Sequence, residues 1–272
     1  MNRISMKALA VFVSCGFVFA ALASNGCSRA SANSITLAGS TAFQPFAEKL
    51  AERYGETHKD VQINVQGGGS AVGIQSALSG AAQIGMADLL ELPPEAAALK
   101  STVVARDGIA IVVNPVNSIK ALTIDQARDV FSGKVANWKD LGGSDSPIHV
   151  ISREEGSGTR RSFDKLVLVG AKLAPSALFQ NSTGTVRQAV ASDPTAIGYV
   201  SIGLVNDKVK ALTYNGVPAN DTNVKNGSYP LARPIFLLTK GEPSPQTKAF
   251  LDYMLSDEAQ KTLEKEGLIA AK

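Results

Sequence analysis

From residue 34 onward, short β-like runs alternate with segments of helical periodicity. The run "SITLAG" precedes apolar residues at helical spacing from about Thr41, and "VQINVQ" precedes a helical pattern through Ile74 and Leu78. Further strand-like runs are "QIGMAD", "RDGIAIVVNP", "PIHVIS" and "IGYVSIG". Strands that alternate with helices indicate an α/β fold with largely parallel sheets.

Two of these strands, "GIAIVVNP" and "IGYVSIG", enclose a central segment with a helix–strand–helix pattern of its own. We interpret this segment as a second lobe inserted into the first, with the two strands as crossovers. The predicted boundaries are 34–112 plus 206–272 for lobe I and 113–205 for lobe II. Within lobe II, "TIDQARDVFSGK" predicts a helix that Thr123 caps and Gly133 ends.

The first 26 residues have the pattern of an export signal. Arg3 and Lys7 precede a short apolar run that ends at "NGC". The run is short for a membrane span. Cys27 is a candidate for lipid attachment, with residues 27–33 as a tether, and cleavage after Ala32 is the alternative. Either event leaves an exported chain, in the periplasm or on the outer face of the cell membrane.

Composition excludes several classes of protein. The only cysteines are Cys15 and Cys27, so the body after the signal has neither a disulfide framework nor a thiolate metal site. The net charge of +3 comes without a basic stripe, which argues against a nucleic-acid partner. We expect no cofactor and no metal, and we expect a monomer.

Three strand-to-helix junctions place glycine and a hydroxyl residue at the start of a helix. They are "GSTAF" at 39–43, "GGGSAVG" at 67–73 and "GSGTR" at 156–160. The first N–H groups of a helix lack partners and carry the positive end of its dipole, so such ends bind anions. Each junction alone is better explained as an ordinary N-cap. Three of them in one chain favour an anion site.

Charged residues close to these junctions refine that expectation. Arg153 follows a strand and supplies the countercharge that a desolvated dianion needs, and Glu155 is the candidate to orient it. Asp88 ends "IGMAD", where a carboxylate would accept a hydrogen bond from monohydrogen phosphate and reject sulfate, which has no proton at neutral pH. A helix cap is the alternative role for Asp88.

The order of these motifs resembles a known family. "TLAGSTAFQPF", "GGGSAVGI", "IGMAD", "VFSGKVANWKDLGG" and "REEGSGTRRSF" are similar to motifs of the phosphate-binding proteins that serve Pst-type ABC importers. The resemblance runs from about residue 35 to the C-terminus. It implies the type II periplasmic-binding-protein fold, in which two α/β lobes joined by two crossover strands close over one anion.

The resemblance also implies a set of ligand residues. They would be Thr41, Ala42 and Ser70 from the helix starts of lobe I, Asp88 as acceptor of the phosphate proton, and Arg153, Ser157, Gly158 and Thr159 from lobe II. Ser40 and Glu155 would contact these ligand residues without contacting the anion, and Glu155 would orient Arg153. Many relatives have a serine pair or aromatic residues where this chain has Ala87 and Ala42, which leaves the number of hydrogen-bond donors open.

The function expected from these features is phosphate capture and delivery to a membrane permease, without catalysis. Alternatives are a binding protein for sulfate or molybdate, and a phosphate sensor. A secreted hydrolase would need Ser70 or Ser157 as nucleophile, but neither lies in a G-x-S-x-G elbow, and only His58 and His149 are available as bases. Two scattered histidines also make a poor metal shell.

Overall fold

The computed structural model describes residues 33–271. The predicted export signal, Cys27 and the cleavage position after Ala32 lie outside the described residues. The α-helices are α1 (Gln44–Thr57), α2 (Ser70–Ser79), α3 (Ile124–Phe131), α4 (Gly158–Phe163), α5 (Thr183–Ser192), α6 (Asp221–Lys225), α7 (Pro245–Met254) and α8 (Asp257–Lys265). No helix within 33–271 is long and apolar enough to cross a membrane.

The strands alternate with these helices over most of the chain. They are β1 (Ser34–Gly39), β2 (Gln62–Gln66), β3 (Ile84–Asp88), β4 (Leu99–Val113), β5 (Ala121–Leu122), β6 (His149–Arg153), β7 (Leu178–Gln180), β8 (Ala196–Ser201), β9 (Lys210–Ala211), β10 (Thr213–Tyr214), β11 (Ala232–Lys240) and β12 (Ile269–Ala270). Short 3-10 helices occupy Pro94–Ala98, Trp138–Leu141 and Ile202–Leu204, and Asp164–Leu168 is π-helical.

Local chemistry explains where several helices begin and end. Thr123 and Gln126 form a reciprocal capping box at the start of α3, as the sequence predicts. The C-terminal helical pattern is divided, because Ser256 accepts a hydrogen bond from Ala259 N–H and starts α8 as a separate helix. Helix α1 starts at Gln44 rather than near Thr41, and Ser40 Oγ accepts from Phe43 N–H in the turn before it.

One sheet runs through the described residues, with strand order β2-β1-β3-β11-β4-β8-β6-β7, and β9 and β12 also pair with β4. Its two outer parts are parallel: β1 pairs with β2 and β3, and β6 pairs with β7 and β8. The centre is antiparallel, because β11 runs against both β3 and β4, and β4 runs against β8. The α/β class is confirmed.

Strand β4 belongs to both parts of the sheet. Residues 99–108 of β4 pair with β11, whereas 109–113 pair with β8. The partner changes between Gly108 and Ile109, so β4 is a crossover strand, as its long apolar run predicts. The other strand predicted as a crossover, "IGYVSIG", contains most of β8, which pairs with β4 and β6 and does not cross to β3 or β11. The chain instead returns along β11, whose first residue Ala232 pairs with Gly108.

Two large core clusters flank this change of partner within the one compact unit that residues 33–271 form. One cluster contains Leu37, Phe43, Leu50, Met86 and Phe250, and the other contains Trp138, Phe163, Tyr199, Tyr214 and Tyr229. The second cluster includes Leu212 and Leu231, whereas the sequence interpretation assigned 206–272 to lobe I.

Candidate anion-binding site

The first half of the site lies where three parallel strands end. Strands β1, β2 and β3 run in the same direction, so their carboxyl ends meet at one edge of the sheet, the usual place for ligands in α/β proteins. The residues that follow are Ser40, Thr41 and Ala42 after β1, Ser70 at the start of α2, and Asp88 at the end of β3 itself. All five are buried. The structure brings these predicted residues together.

The second half is the loop from Arg153 to the start of α4. Ala71 N–H donates to Gly156 O across the interface at 3.0 Å, which holds the loop against the start of α2. Gly158 lies so close to the first half that a Cβ there would be 2.1 Å from Ser70 Oγ and 2.5 Å from Asp88 O. Only a glycine permits this approach.

The Asp88 carboxylate is the centre of the hydrogen-bond network. Ser70 Oγ donates to Oδ1 at 2.8 Å and also accepts from Asp88 N–H at 3.0 Å. Thr159 Oγ1 donates to Oδ2 at 2.6 Å from the opposite side. Arg233 donates to the same Oδ2 from Nε at 3.0 Å and from Nη2 at 2.8 Å. Predicted ligand residues from both halves therefore converge on one carboxylate.

These contacts set the charge of Asp88, whose exposed fraction is 1%. Burial by itself would raise the pKa of the Asp88 carboxyl, because it penalises the charged form. The guanidinium of Arg233 and the hydroxyl groups of Thr159, Ser40 and Ser70 outweigh burial and lower this pKa. Asp88 is therefore an ionised acceptor at neutral pH, and Ser40 belongs to the network that keeps it so.

Arg153 is buried, with 2% of its surface exposed, and it is held by groups that the sequence did not indicate. Its Nε donates to Gln180 O at 3.2 Å, its Nη2 to Asn181 O at 3.3 Å, and its Nη1 to Thr183 Oγ1 at 3.0 Å. Glu155, the expected orienting partner, is exposed. The carbonyls at the end of β7 and Thr183 fix the guanidinium instead.

Thr183 is a site residue that sequence reasoning missed. It lies at the start of α5 and is buried. Besides accepting from Arg153, it donates its N–H to Thr41 Oγ1 at 3.2 Å, and the two hydroxyl oxygens are 3.4 Å apart. A fourth helix start therefore reaches the site. The segment "NSTGTV" carried the same signal of hydroxyl groups and glycine as the three recognised junctions.

Arg233 is the other residue that was missed. It lies on β11 with no exposed surface, and its Nη2 is 3.0 Å from Asp107 Oδ2 in addition to its contacts with Asp88. Asp107 also accepts from Ser201 Oγ at 2.8 Å. Burial raises the pKa of Asp107 to about 6, with the nearby Arg233 opposing the rise.

The remaining predicted residues lie as a helix-start site requires. Ser157 is the N-cap of α4, and its Oγ accepts from Arg160 N–H at 3.2 Å. Its own N–H donates to Glu154 O at 3.0 Å, whereas the N–H groups of Gly158 and Thr159 lie at the positive end of the helical turn. Arg160 is largely buried beside the site: its Nε is 3.5 Å from Asp164 Oδ2, and its Nη1 donates to Arg153 O at 3.0 Å.

Two other kinds of site, a metal site and a separate cavity, can be compared with the predicted ligands. Within 33–271, no group of three or more His, Cys, Asp or Glu side chains is placed to hold a metal ion. A cavity of about 630 Å³ lies nearby, lined by residues of 89–94 and 161–165. None of the predicted ligands lines it, so we assign no role to it in anion binding.

The fold and the site together define a class of protein: an α/β binding protein in which helix starts, a buried arginine and an ionised carboxylate converge, as suits a small oxyanion. Comparison with known proteins identifies its family. Residues 27–258 match the PBP superfamily domain. The chain is 39% identical to the phosphate-binding protein PstS of Bacillus subtilis (strain 168) over 234 residues, which cover 85% of this chain and 78% of that protein.

Solved structures agree with this relationship. A substrate-binding protein of Clostridium perfringens, solved with bound phosphate, is 40% identical and superimposes with a TM-score of 0.84 over 88% of this chain and all of that one. An ABC-type phosphate transport receptor of Vibrio cholerae is 35% identical, with a TM-score of 0.71 over 86% of this chain and 99% of that one. The chain belongs to the PstS-type phosphate-binding proteins of the periplasmic-binding-protein superfamily.

Proposed function

We propose that this protein captures inorganic phosphate between its two lobes and delivers it to the membrane permease of an ABC importer. The observation that carries the proposal is the ionised, buried Asp88 placed among helix starts and opposite a buried Arg153. An acceptor in an otherwise donor-rich anion site suits a ligand that keeps a proton. The relatives named above support phosphate as that ligand.

The ligand set follows from the placement of the site residues. The N–H groups of Thr41, Ala42, Ser70, Gly158 and Thr159 and the hydroxyl of Ser157 serve as donors at helix starts. Arg153 provides the formal countercharge, which a guanidinium can share between two oxygens. Asp88 accepts the phosphate proton. Sulfate is rejected because it would face this carboxylate without a proton to donate.

Closure involves the two crossover strands. Lobe I comprises 34–108 plus 232–271, and lobe II comprises 109–231, a division supported by the change of partner of β4 and by the packing of 209–231 with Trp138. Each lobe supplies part of the anion cage, so phosphate favours the closed arrangement through the contacts that it makes with both lobes. The protein acts as a monomer, exported and tethered through Cys27.

The experiment is calorimetric titration of the mature protein with phosphate, sulfate and molybdate at neutral pH, after bound anion has been stripped by unfolding and refolding. We expect one phosphate per protein and no heat from sulfate or molybdate. Tight binding of sulfate or molybdate by the unaltered protein would contradict phosphate as the ligand.

Asp88→Asn tests the proton acceptor directly. The amide can donate to a fully deprotonated oxygen, and Arg233 keeps Asp107 as its counterion. We expect phosphate binding to persist and sulfate affinity to rise at least about tenfold, which is the value of roughly one hydrogen bond to a charged group. Unchanged rejection of sulfate would show that Asp88 does not face the anion.

A further inference from the structure

The buried Arg233 contacts Asp88, the predicted acceptor of the phosphate proton. Nε and Nη2 of Arg233 both point at Asp88 Oδ2, at 3.0 and 2.8 Å. The same Nη2 is 3.2 Å from Thr159 Oγ1 and 3.0 Å from Asp107 Oδ2. The guanidinium therefore touches a carboxylate of lobe I, a hydroxyl of lobe II and an acid on the crossover strand β4.

The position of Arg233 in the sheet is equally specific. Arg233 on β11 and Asp107 on β4 are paired in register, next to the Ala232–Gly108 pair at which the β11–β4 ladder ends. Both side chains are fully buried. A buried charge is costly unless it is paired and hydrogen-bonded, so the chain retains a charged cluster where apolar packing would have served stability as well.

The hydrogen bonds divide the two oxygens of Asp88 into different roles. An ionised carboxylate has about four lone-pair sites on two oxygens. Oδ2 receives three donors, two from Arg233 and one from Thr159. Oδ1 accepts from Ser70 Oγ, and it faces Gly158, where an added Cβ would lie 2.9 Å away. Oδ1 is thus the oxygen left with acceptor capacity, on the side of the helix start.

We propose that Arg233 is a positioning residue that holds Asp88 as a carboxylate with Oδ1 turned toward the anion, and so determines which protonation state of an oxyanion the cleft accepts. This inference rests on the proposed function, in which Asp88 accepts the phosphate proton. Arg233 acts through Asp88 and does not bind the ligand itself.

Among the charged groups near Asp88, Arg233 has the largest effect on whether its carboxyl group is ionised. Arg233 from β11 is the cation in contact with the carboxylate, Asp107 from β4 is a nearby acid, and Arg153 from β6 contributes a more distant positive charge. Without Arg233, Asp88 would be a buried carboxyl supported mainly by hydroxyl groups. Burial then favours the protonated form, which donates a hydrogen bond and suits a deprotonated oxyanion such as sulfate.

The test compares the double variant Arg233→Gln/Asp107→Asn with the single variant Asp107→Asn, which serves as the matched control. The double variant removes one charge of each sign, so it leaves no second buried acid beside Asp88. Phosphate and sulfate affinities are measured by calorimetry from pH 6 to pH 9, and circular dichroism checks the fold. Asp107→Asn keeps Arg233 on Asp88 and should still reject sulfate.

In the double variant we expect phosphate affinity at neutral pH to fall at least about tenfold, since a charge-assisted contact that orients the acceptor is lost. Sulfate binding should appear at the acidic end and disappear as the pH rises and Asp88 ionises. A purely structural role for Arg233 would not produce this pH-dependent exchange of ligands. Equal discrimination in the double variant and in Asp107→Asn would overturn the proposal.

Arg233→Lys is measured in parallel and keeps the proposal testable even where the double variant does not fold. Lysine keeps the charge but loses the two-pronged contact with Oδ2. We expect sulfate to remain rejected and phosphate to bind about tenfold more weakly, whereas undiminished phosphate affinity would refute the orienting role. Failure of the unaltered protein to bind phosphate would instead contradict the proposed function, which separates the two conclusions.

Discussion

Gly158→Ala tests whether closure of the loop before α4 is required for binding. The Cβ added at Gly158 would lie 2.1 Å from Ser70 Oγ and 2.5 Å from the backbone oxygen of Asp88. Ordinary contact begins at 3.4 Å, so the loop has to retreat by about 1.3 Å, the difference between 3.4 and 2.1. Both obstacles are buried in lobe I, and neither is the free end of a flexible side chain.

The expected magnitude follows from the cost of overpacking. Forcing a methyl group into a closely packed contact costs about 1–3 kcal/mol, and the variant can avoid that cost by keeping its lobes apart. Phosphate affinity should therefore fall by about 5- to 150-fold. The thermal midpoint without phosphate should stay near that of the unaltered protein, whereas the rise in midpoint on adding phosphate should shrink.

Gly156→Ala is the matched control in the same loop. A Cβ at Gly156 meets only Ala71 Cβ, at 3.6 Å, which is an ordinary contact. Calorimetric titration with phosphate should give Gly156→Ala an affinity close to that of the unaltered protein. The reasoning would be refuted if Gly158→Ala bound phosphate as tightly as Gly156→Ala.

Two further predictions concern buried residues beside the site. The pKa of Asp107 is raised from 3.8 to about 6. Between these two pH values, Asp107 keeps its proton in the folded protein, whereas the unfolded chain releases it. The stability that this proton confers is complete well below pH 3.8 and is lost as the pH rises through 6, so between pH 4 and pH 7 the unaltered protein should lose about 2.4 kcal/mol relative to Asp107→Asn. Urea unfolding of both proteins at each pH measures this, and parallel pH profiles would contradict it. Thr183→Val removes the acceptor of Arg153 Nη1 and should weaken phosphate binding about fivefold, the value of a hydrogen bond worth about 1 kcal/mol; calorimetry with unchanged affinity would show that the carbonyls of Gln180 and Asn181 suffice.

The strand-to-helix junctions were the part of the site that the sequence revealed best. Glycine and hydroxyl residues next to a run of helical periodicity have a local physical cause, the unpaired N–H groups at a helix start. Because the cause is local, such a junction can be recognised from one sequence without a structure. The structure accordingly brings Thr41, Ser70 and Ser157 to one place, together with Asp88 and Arg153.

The residues that were missed lie on elements that were not recognised. Strand β11 contains Pro234 one residue after Arg233, and proline in a strand pattern argues against a central strand. Here β11 lies at the centre of the sheet between β3 and β4, with a shift of register after Ile235. An arginine in such a segment gives no local indication that it will meet Asp88, which lies far away in the chain.

For Glu155, the sequence predicted a contact that the structure does not contain. Its position two residues after Arg153 suggested an ion pair, because neighbouring charges of opposite sign attract. The guanidinium instead turns toward the end of β7 and the start of α5, where carbonyl dipoles and Thr183 surround it. Proximity in sequence does not decide a partner when a side chain passes into the interior, since long-range packing fixes its direction.

The antiparallel centre of the sheet has a consequence for how the chain folds. Strands β3 and β4 both pair with β11, which follows all but one of the buried residues of the second core cluster in sequence; the exception is Ile269. During synthesis, the sheet of the first lobe therefore stays open at its middle until the last part of the chain is available. Pairing between such distant segments is slow to form, and until then β3 and β4 present unpaired edges of the kind that recruit chaperones and invite aggregation.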